Sequence, residues 1–183
     1  CINCETALAE AEIEYYDIVS PSIYVKFKVI EDKNNFGDKT YFLIWTTTPW
    51  TLPANTGIAL SPDLNYAIVE TEGENLIIAE KFVKTLLEKK GINGKIKKIL
   101  NGKQLEGILC ESPVLKRSSK VILADFVSDQ EGTGCVHIAP GHGEEDYNAG
   151  IKNNLEILSP VDEKGTFTSD IDEFKGIVVF QAD

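Results

Sequence analysis

The sequence predicts an α+β fold dominated by β-structure: a β-barrel core of short strands with a few peripheral helices. Three observations carry this. Short runs rich in β-branched and aromatic residues recur along the chain, proline and glycine punctuate them, and only two stretches carry helical periodicity.

Taken in order, Ala11 to Val19 and Ser22 to Ile30 alternate roughly with period two around Pro21 and are expected to be strands. Glu31 to Lys39 is polar, contains Gly37 and makes a turn. Tyr41 to Thr47 is a strong strand candidate, closed by Pro49 and Pro53, which lack an amide hydrogen for ladder pairing. Strands follow at Gly57 to Leu60, Asn65 to Glu70 and Asn75 to Ile78. Glu80 to Lys90 is the clearest helix, with Phe82, Val83, Leu86 and Leu87 at helical spacing and Gly91 at the C-terminal cap. Further strands are expected at Lys95 to Leu100, Lys120 to Leu123, Cys135 to Ile138 and Ile177 to Phe180. A second helix runs from about Glu144 to Lys152, and Leu105 to Arg117 has no clear pattern.

With 183 residues the chain exceeds the common domain size of about 150, so one domain over 1–183 with insertions is expected, residues 1–10 forming an N-terminal linker. Two small domains are the alternative that length leaves open. A composition of 43% hydrophobic and 26% charged residues is that of a globular protein and excludes disorder. Eighteen basic against 29 acidic residues give a net charge of −11, a field that repels phosphate and argues against autonomous nucleic-acid binding. The cationic clusters are short: Lys89 to Lys90, Lys95 to Lys98 and Lys116 to Lys120. No apolar run approaches the roughly 18 residues of a membrane span, so no membrane is expected and the cytoplasm is the default location. A chain that opens at Cys1 and contains no methionine is expected to be a segment of a larger protein.

Four cysteines, Cys1, Cys4, Cys110 and Cys135, are too few for a disulfide framework. Cys1 and Cys4 have the spacing of half a zinc knuckle, but a structural site takes four ligands and no second pair exists. A chance pair and half of a site completed elsewhere are equally good readings, and no zinc is expected within this chain.

Two segments have the residue types of a chemical site. Trp45-Thr46-Thr47-Thr48-Pro49-Trp50-Thr51-Leu52-Pro53-Ala54-Asn55 places four hydroxyls, two indoles and a carboxamide where proline breaks strand pairing, leaving polar groups free to face a ligand. Any single threonine here is ordinary strand chemistry; the whole run points to a site. Gly132 to Tyr147 holds both histidines, His137 and His142, and three acids at the start of a helix. Alternation puts Cys135 and His137 on one face and Val136 and Ile138 on the other. Pro140 and Gly141 then turn the chain, bringing His137 and Asp146 to the lip of one pocket. Glu144 and Glu145 need no role beyond complementing the helix dipole. The histidines flank Pro140-Gly141 and do not fit a helical metal motif. A Cys135 and His137 dyad is poorly placed on one strand, and Gly132-x-Gly134 lacks the rest of a dinucleotide fingerprint.

Together the two segments resemble the editing domains of class I aminoacyl-tRNA synthetases for branched aliphatic amino acids. Cys1 to Val29, including Glu5-Thr6-Ala7-Leu8-Ala9-Glu10-Ala11-Glu12 and Ser20-Pro21-Ser22-Ile23-Tyr24-Val25-Lys26-Phe27, is similar to the isoleucine enzymes. Valine enzymes of that family typically carry lysine where this chain has His137, and leucine enzymes have a different run before Pro140. The resemblance covers nearly the whole chain and implies the fold of the valine, isoleucine and leucine editing domains. It implies hydrolysis of the ester of valyl-tRNA for isoleucine, with isoleucyl-tRNA rejected by size. The parent enzyme would ligate isoleucine to tRNA using ATP and magnesium, with zinc also implied, whereas editing takes no cofactor. Implied partners are the aminoacylated 3′ end of the isoleucine tRNA and the remaining synthetase domains, the isolated domain being a monomer.

Carried over by residue, Thr46, Thr47, Thr48 and Asn55 would be catalytic. Trp45, Trp50, Thr51, His137 and Asp146 would bind substrate. Asp146 would pair with the α-ammonium, and His137 would close the side-chain cavity. No side chain stands out as a strong base, so the ribose hydroxyl beside the ester is expected to assist the attacking water. Remaining alternatives are the editing domain of a valine or leucine enzyme, a non-catalytic aminoacyl or nucleotide-binding module, and a metal-dependent hydrolase using His137, His142 and Asp146.

Overall fold

The structure, a computed structural model, describes residues 5–15, 17, 19, 21–31 and 36–182. Among these, nine strands follow in chain order: β1 (Ile23–Glu31), β2 (Thr40–Thr46), β3 (Gly57–Leu60), β4 (Asn65–Glu70), β5 (Asn75–Ala79), β6 (Lys95–Asn101), β7 (Leu109–Glu111), β8 (Ser118–Leu123) and β9 (Cys135–Ile138). The helices are α1 (Val83–Lys90), α2 (Gly102–Leu105) and α3 (Glu144–Asn153).

All nine strands join one mixed sheet in the order β6-β4-β5-β2-β1-β7-β8-β3-β9. The period-two pattern explains how it curls. Phe42, Ile44, Ile58, Leu60, Tyr66, Ile68, Ile77, Val121 and Cys135 point into one buried cluster with Phe27 and Leu105. Their alternating neighbours point outward. Leu43, Ala67, Val69, Leu76 and Ile78 pack with Val83 and Leu86 of α1, and Ala59, Ile122 and Ile138 pack with Ala149 of α3. One face of the sheet thus wraps a single core while helices cover parts of the other. Burial of each large apolar side chain here stabilises by about 1.5–3 kcal/mol.

The ladder does not close, which corrects the expected barrel: β6 and β9 end the sheet and do not pair. At the β9 end, local side-chain bonds replace a further strand. Thr133 Oγ1 accepts from the Cys135 amide at 3.3 Å and donates to the Cys135 carbonyl at 3.2 Å, occupying groups that another strand would need. A single backbone bond, from the Ala79 amide to the Thr133 carbonyl at 2.8 Å, spans the seam. Gly134 is required there: its φ is +73°, and a Cβ would stand 2.4 Å from that of Ala79. At the other end β6 blunts its exposed edge with Lys95, Lys97 and Lys98.

Two more expectations are corrected. Within Ala11 to Val19, Ala11 and Glu12 belong to a 3₁₀ turn, Glu10–Glu12, and 13–15 carry no ladder. Val179 to Gln181 form another 3₁₀ turn in place of a strand, Val178 making only an isolated bridge to Thr166. In both cases residue propensity had no neighbouring strand to complete it. The segment without a pattern holds β7 and lies beside α2, whose Asn101 and Gln104 form a capping box. Cys1 and Cys4 lie outside the described residues. Among those described, no helix is long and apolar enough to cross a membrane.

Tyr66, fully buried, ties the core to the seam. Its hydroxyl accepts from the Ser61 amide at 2.9 Å and donates to the Gly134 carbonyl at 2.7 Å. Tyr66→Phe leaves both backbone groups buried without that partner and is expected to destabilise the chain by about 1–3 kcal/mol in urea unfolding. An unchanged midpoint would show that the hydroxyl holds nothing.

Candidate functional site

The two segments singled out in the sequence meet across the open edge of β9. Between them lies a cleft of about 310 Å³, lined on one side by Trp45, Thr46, Thr47, Thr48 and Thr51 and on the other by 132–137, Ala139, His142 and Asp146. β2 ends at Thr46, and Pro49 starts a 3₁₀ turn, Pro49–Ala54, that carries the chain behind the cleft. Thr46 Oγ1 accepts from the Thr48 amide at 3.1 Å, which fixes the bend and leaves Thr47 and Thr48 exposed at the mouth.

His137 is the buried pivot. Its Nε2 lies 2.8 Å from Thr51 Oγ1 and its Nδ1 lies 3.2 Å from Asn55 Nδ2. The neighbours of Asn55 decide the protonation. Its Nδ2 donates to the Gly57 carbonyl at 2.8 Å and faces the Ile138 carbonyl at 3.4 Å, so this end of the carboxamide must be the NH₂. His137 Nδ1 is therefore an acceptor, and Nε2 carries the proton toward Thr51 Oγ1. That hydroxyl passes its own hydrogen to the Thr48 carbonyl at 2.9 Å. Burial, with a smaller contribution from His142, pushes the His137 pKa down from 6.5 to about 4. The ring is neutral, fixed in one tautomer, and has both nitrogens occupied.

Asp146 reaches the cleft from the first turn of α3. Its Oδ2 accepts from the Ala139 amide at 2.8 Å, stapling the helix start to the end of β9. Burial raises its pKa above the ordinary carboxylate value, and Glu145 adds to the rise. A half-buried carboxylate held high in this way is short of a positive neighbour. The backbone of β9 also faces the cleft. The Thr56 and Leu60 carbonyls of the β3 segment accept from Lys120 and Ala124 on the β8 side, so Gly57 and Ala59 turn toward Ile138 and Val136. By alternation the amides of Cys135, His137 and Ala139 point to the open edge. Two of these are taken by Thr133 Oγ1 and Asp146 Oδ2; the His137 amide lies between them.

Seven of the nine residues expected at the site line the cleft: Trp45, Thr46, Thr47, Thr48, Thr51, His137 and Asp146. Asn55 and Trp50 do not. Asn55 is buried behind His137, and Trp50 makes a T-shaped ring contact with His142, centroids 5.1 Å apart at 79°. Ser128 and Glu131, from the loop after β8, also line the cleft. No spacing or residue type marks them in the sequence. Among the described residues no three His, Cys, Asp or Glu side chains form a set able to hold a metal, which removes the arrangement that the metal-dependent alternative needs.

A protein-family model described as leucyl-tRNA synthetase, editing domain, matches residues 20–179. The chain belongs to this family of synthetase editing domains. Within it, the chain's sequence sides with isoleucine enzymes: it is 49% identical over 182 residues to the isoleucine–tRNA ligase of Fervidobacterium pennivorans, covering all of this chain and 19% of that protein. The chain thus spans about a fifth of the length of the curated relatives it matches. In structure it is similar to GlLeuRS-CP1, with TM-score 0.61, 18% identity, and coverage of 76% of this chain and 68% of that one. It is also similar to the P. knowlesi cytosolic leucyl-tRNA synthetase editing domain, with TM-score 0.60, 14% identity, and coverage of 69% and 60%.

The depressed His137 pKa has a definite consequence. The unfolded chain binds a proton near pH 6.5 and the folded one only near pH 4, so this contribution to stability is complete above 6.5 and lost as pH falls toward 4. It amounts to roughly 3 kcal/mol. Nitrogen NMR is expected to show Nε2 protonated, Nδ1 bare and a titration midpoint near 4; a midpoint near 6.5 contradicts the hydrogen-bond assignment.

Proposed function

We propose that this chain hydrolyses the ester of valine wrongly attached to the isoleucine tRNA, and that it spares the isoleucyl ester by size. The observation that carries the reading is the buried imidazole of His137, with both nitrogens engaged, in the wall of the same cleft that the half-buried carboxylate of Asp146 lines. An α-ammonium would relieve Asp146 and anchor either substrate equally. The side chain of the amino acid then meets His137, which is braced from behind by Thr51 and Asn55 and has little freedom to yield. Valine fits and isoleucine, one methylene larger, collides. This steric rule complements a synthetic site in which one methylene is worth only about 1–3 kcal/mol, a limit for which isoleucine against valine is the established example.

Ester hydrolysis also needs donors for the developing oxyanion. The His137 amide on the β9 edge and the hydroxyls of Thr47 and Thr48 face the same space, and the ribose hydroxyl beside the ester helps to orient the water. The reaction draws on water alone and needs no cofactor. The acidic surface gives the chain little hold on the acceptor stem, so other domains of a parent synthetase supply most of the tRNA contact. The relatives named isoleucine–tRNA ligase support a parent that joins isoleucine to tRNA; that parent would use ATP and work in the cytoplasm.

His137→Ala is expected to bring the hydrolysis rates of the valyl and isoleucyl esters within the roughly 10- to 200-fold that one methylene supplies, since only methylene-scale discrimination remains. A variant that still spares the isoleucyl ester places the size filter elsewhere. Replacing the free ribose hydroxyl with hydrogen is expected to slow deacylation sharply in the same assay, and an unchanged rate removes that hydroxyl from the mechanism. A chain that binds the valyl ester but leaves its decay at the buffer rate is a binding module.

A further inference from the structure

We propose that His142 is the catalytic residue that takes the proton from the attacking water. The proposal rests on the deacylase reading above and supplies the base that reading lacks. Five titratable side chains line the cleft: Glu131, Cys135, His137, His142 and Asp146. Cys135 is buried and its thiol is pushed far up by desolvation. His137 has both nitrogens engaged by Asn55 and Thr51. Asp146 has one oxygen on the Ala139 amide and faces the ammonium position. Glu131 stands exposed on the loop after β8.

His142 differs from all of these. Its Nε2 is sealed from solvent and has no hydrogen-bond partner, and its ring packs against Trp50 in a T-shaped contact. Water can reach Nδ1, which is not sealed, and a neutral ring that keeps its proton on the sealed Nε2 presents Nδ1 as the acceptor. The backbone around it is fixed. The His142 amide donates to the Ala139 carbonyl at 2.9 Å, and at Gly141 a Cβ would stand 2.0 Å from the Leu158 carbonyl oxygen, so the turn seats tightly on that strand-like segment. Burial holds the ring on the neutral side, in the form able to accept.

The step balances simply. A water proton passes to His142 Nδ1 as the water oxygen bonds to the ester carbon. The tetrahedral oxyanion then collapses, the bond from carbon to the ribose oxygen breaks, and that oxygen takes the proton back from Nδ1. Free valine and the ribose hydroxyl leave.

The test uses the present chain with 2′(3′)-O-valyladenosine as substrate and its non-hydrolysable amide analogue as binding probe. His142→Phe keeps the aromatic contact and His142→Asn keeps an acceptor near Nδ1 without its basicity. Both are expected to lower kcat about 10²- to 10³-fold, with KM and affinity for the amide within about twofold. Added imidazole is expected to restore His142→Ala in proportion to its free base and to leave His142→Phe unchanged. Wild-type rate in either His142→Phe or His142→Asn, an effect confined to KM and affinity, or absence of imidazole rescue overturns the proposal while the deacylase reading stands. If Glu131→Gln shows the kcat loss in place of the histidine variants, the base is Glu131. A wild-type chain no faster than buffer overturns the deacylase reading itself.

Discussion

The orientation of one buried carboxamide sets the chemistry of the cleft. Two backbone carbonyls, those of Gly57 and Ile138, face Asn55 Nδ2, and neither has a hydrogen to give. The amide therefore has no second orientation, and everything downstream follows: the tautomer of His137, the direction of its bond to Thr51, and the direction of the bond from Thr51 to the Thr48 carbonyl. The arrangement carries a cost, because Asn55 Oδ1 is buried with no hydrogen-bond partner, a deficit of about 1–3 kcal/mol.

The open seam of the sheet gives this network something to face. A closed barrel would pair the outer edge of β9 and consume its amides. Here Thr133, Asp146 and the tight approach of Gly134 to Ala79 stop the ladder one strand short. The unpaired edge becomes the wall of the cleft, and the proline-broken loop after β2 becomes the wall opposite. Both walls of the cleft thus arise from one topological fact, a sheet that curls around its core without meeting itself.

The residues behind the cleft matter as much as those in it. Trp50 packs with the small cluster of Phe167, Ile171 and Val179, near the C-terminal end of the chain, and contacts His142 on its other side. Asn55 is held by β3 and β9. Both belong to the threonine-rich segment, so the loop that supplies exposed hydroxyls also supplies the braces for the two histidines. Each of these contacts restricts a ring that must not move if size is to be read in fractions of an ångström.

Much of this was legible in the sequence for local reasons. Runs of β-branched and aromatic residues located β2, β4, β5 and β9, helical spacing and Gly91 located α1, and the motifs around Thr46 to Thr48 and Gly132 to Tyr147 located the two walls of the cleft. Where a single segment carries its own pattern, residue chemistry suffices. Pairing lay beyond it: Ala11 and Glu12, Val179 and the closure of the barrel were misjudged because a strand exists only if a neighbour accepts it. The same holds for roles. The sequence by itself determined that threonines, histidines and an aspartate would line one cleft. Only the tertiary structure decided that Asn55 and Trp50 stand outside its lining, that Ser128 and Glu131 join it, and that both nitrogens of His137 are engaged while His142 Nε2 is sealed without a partner, because those contacts join residues distant in sequence.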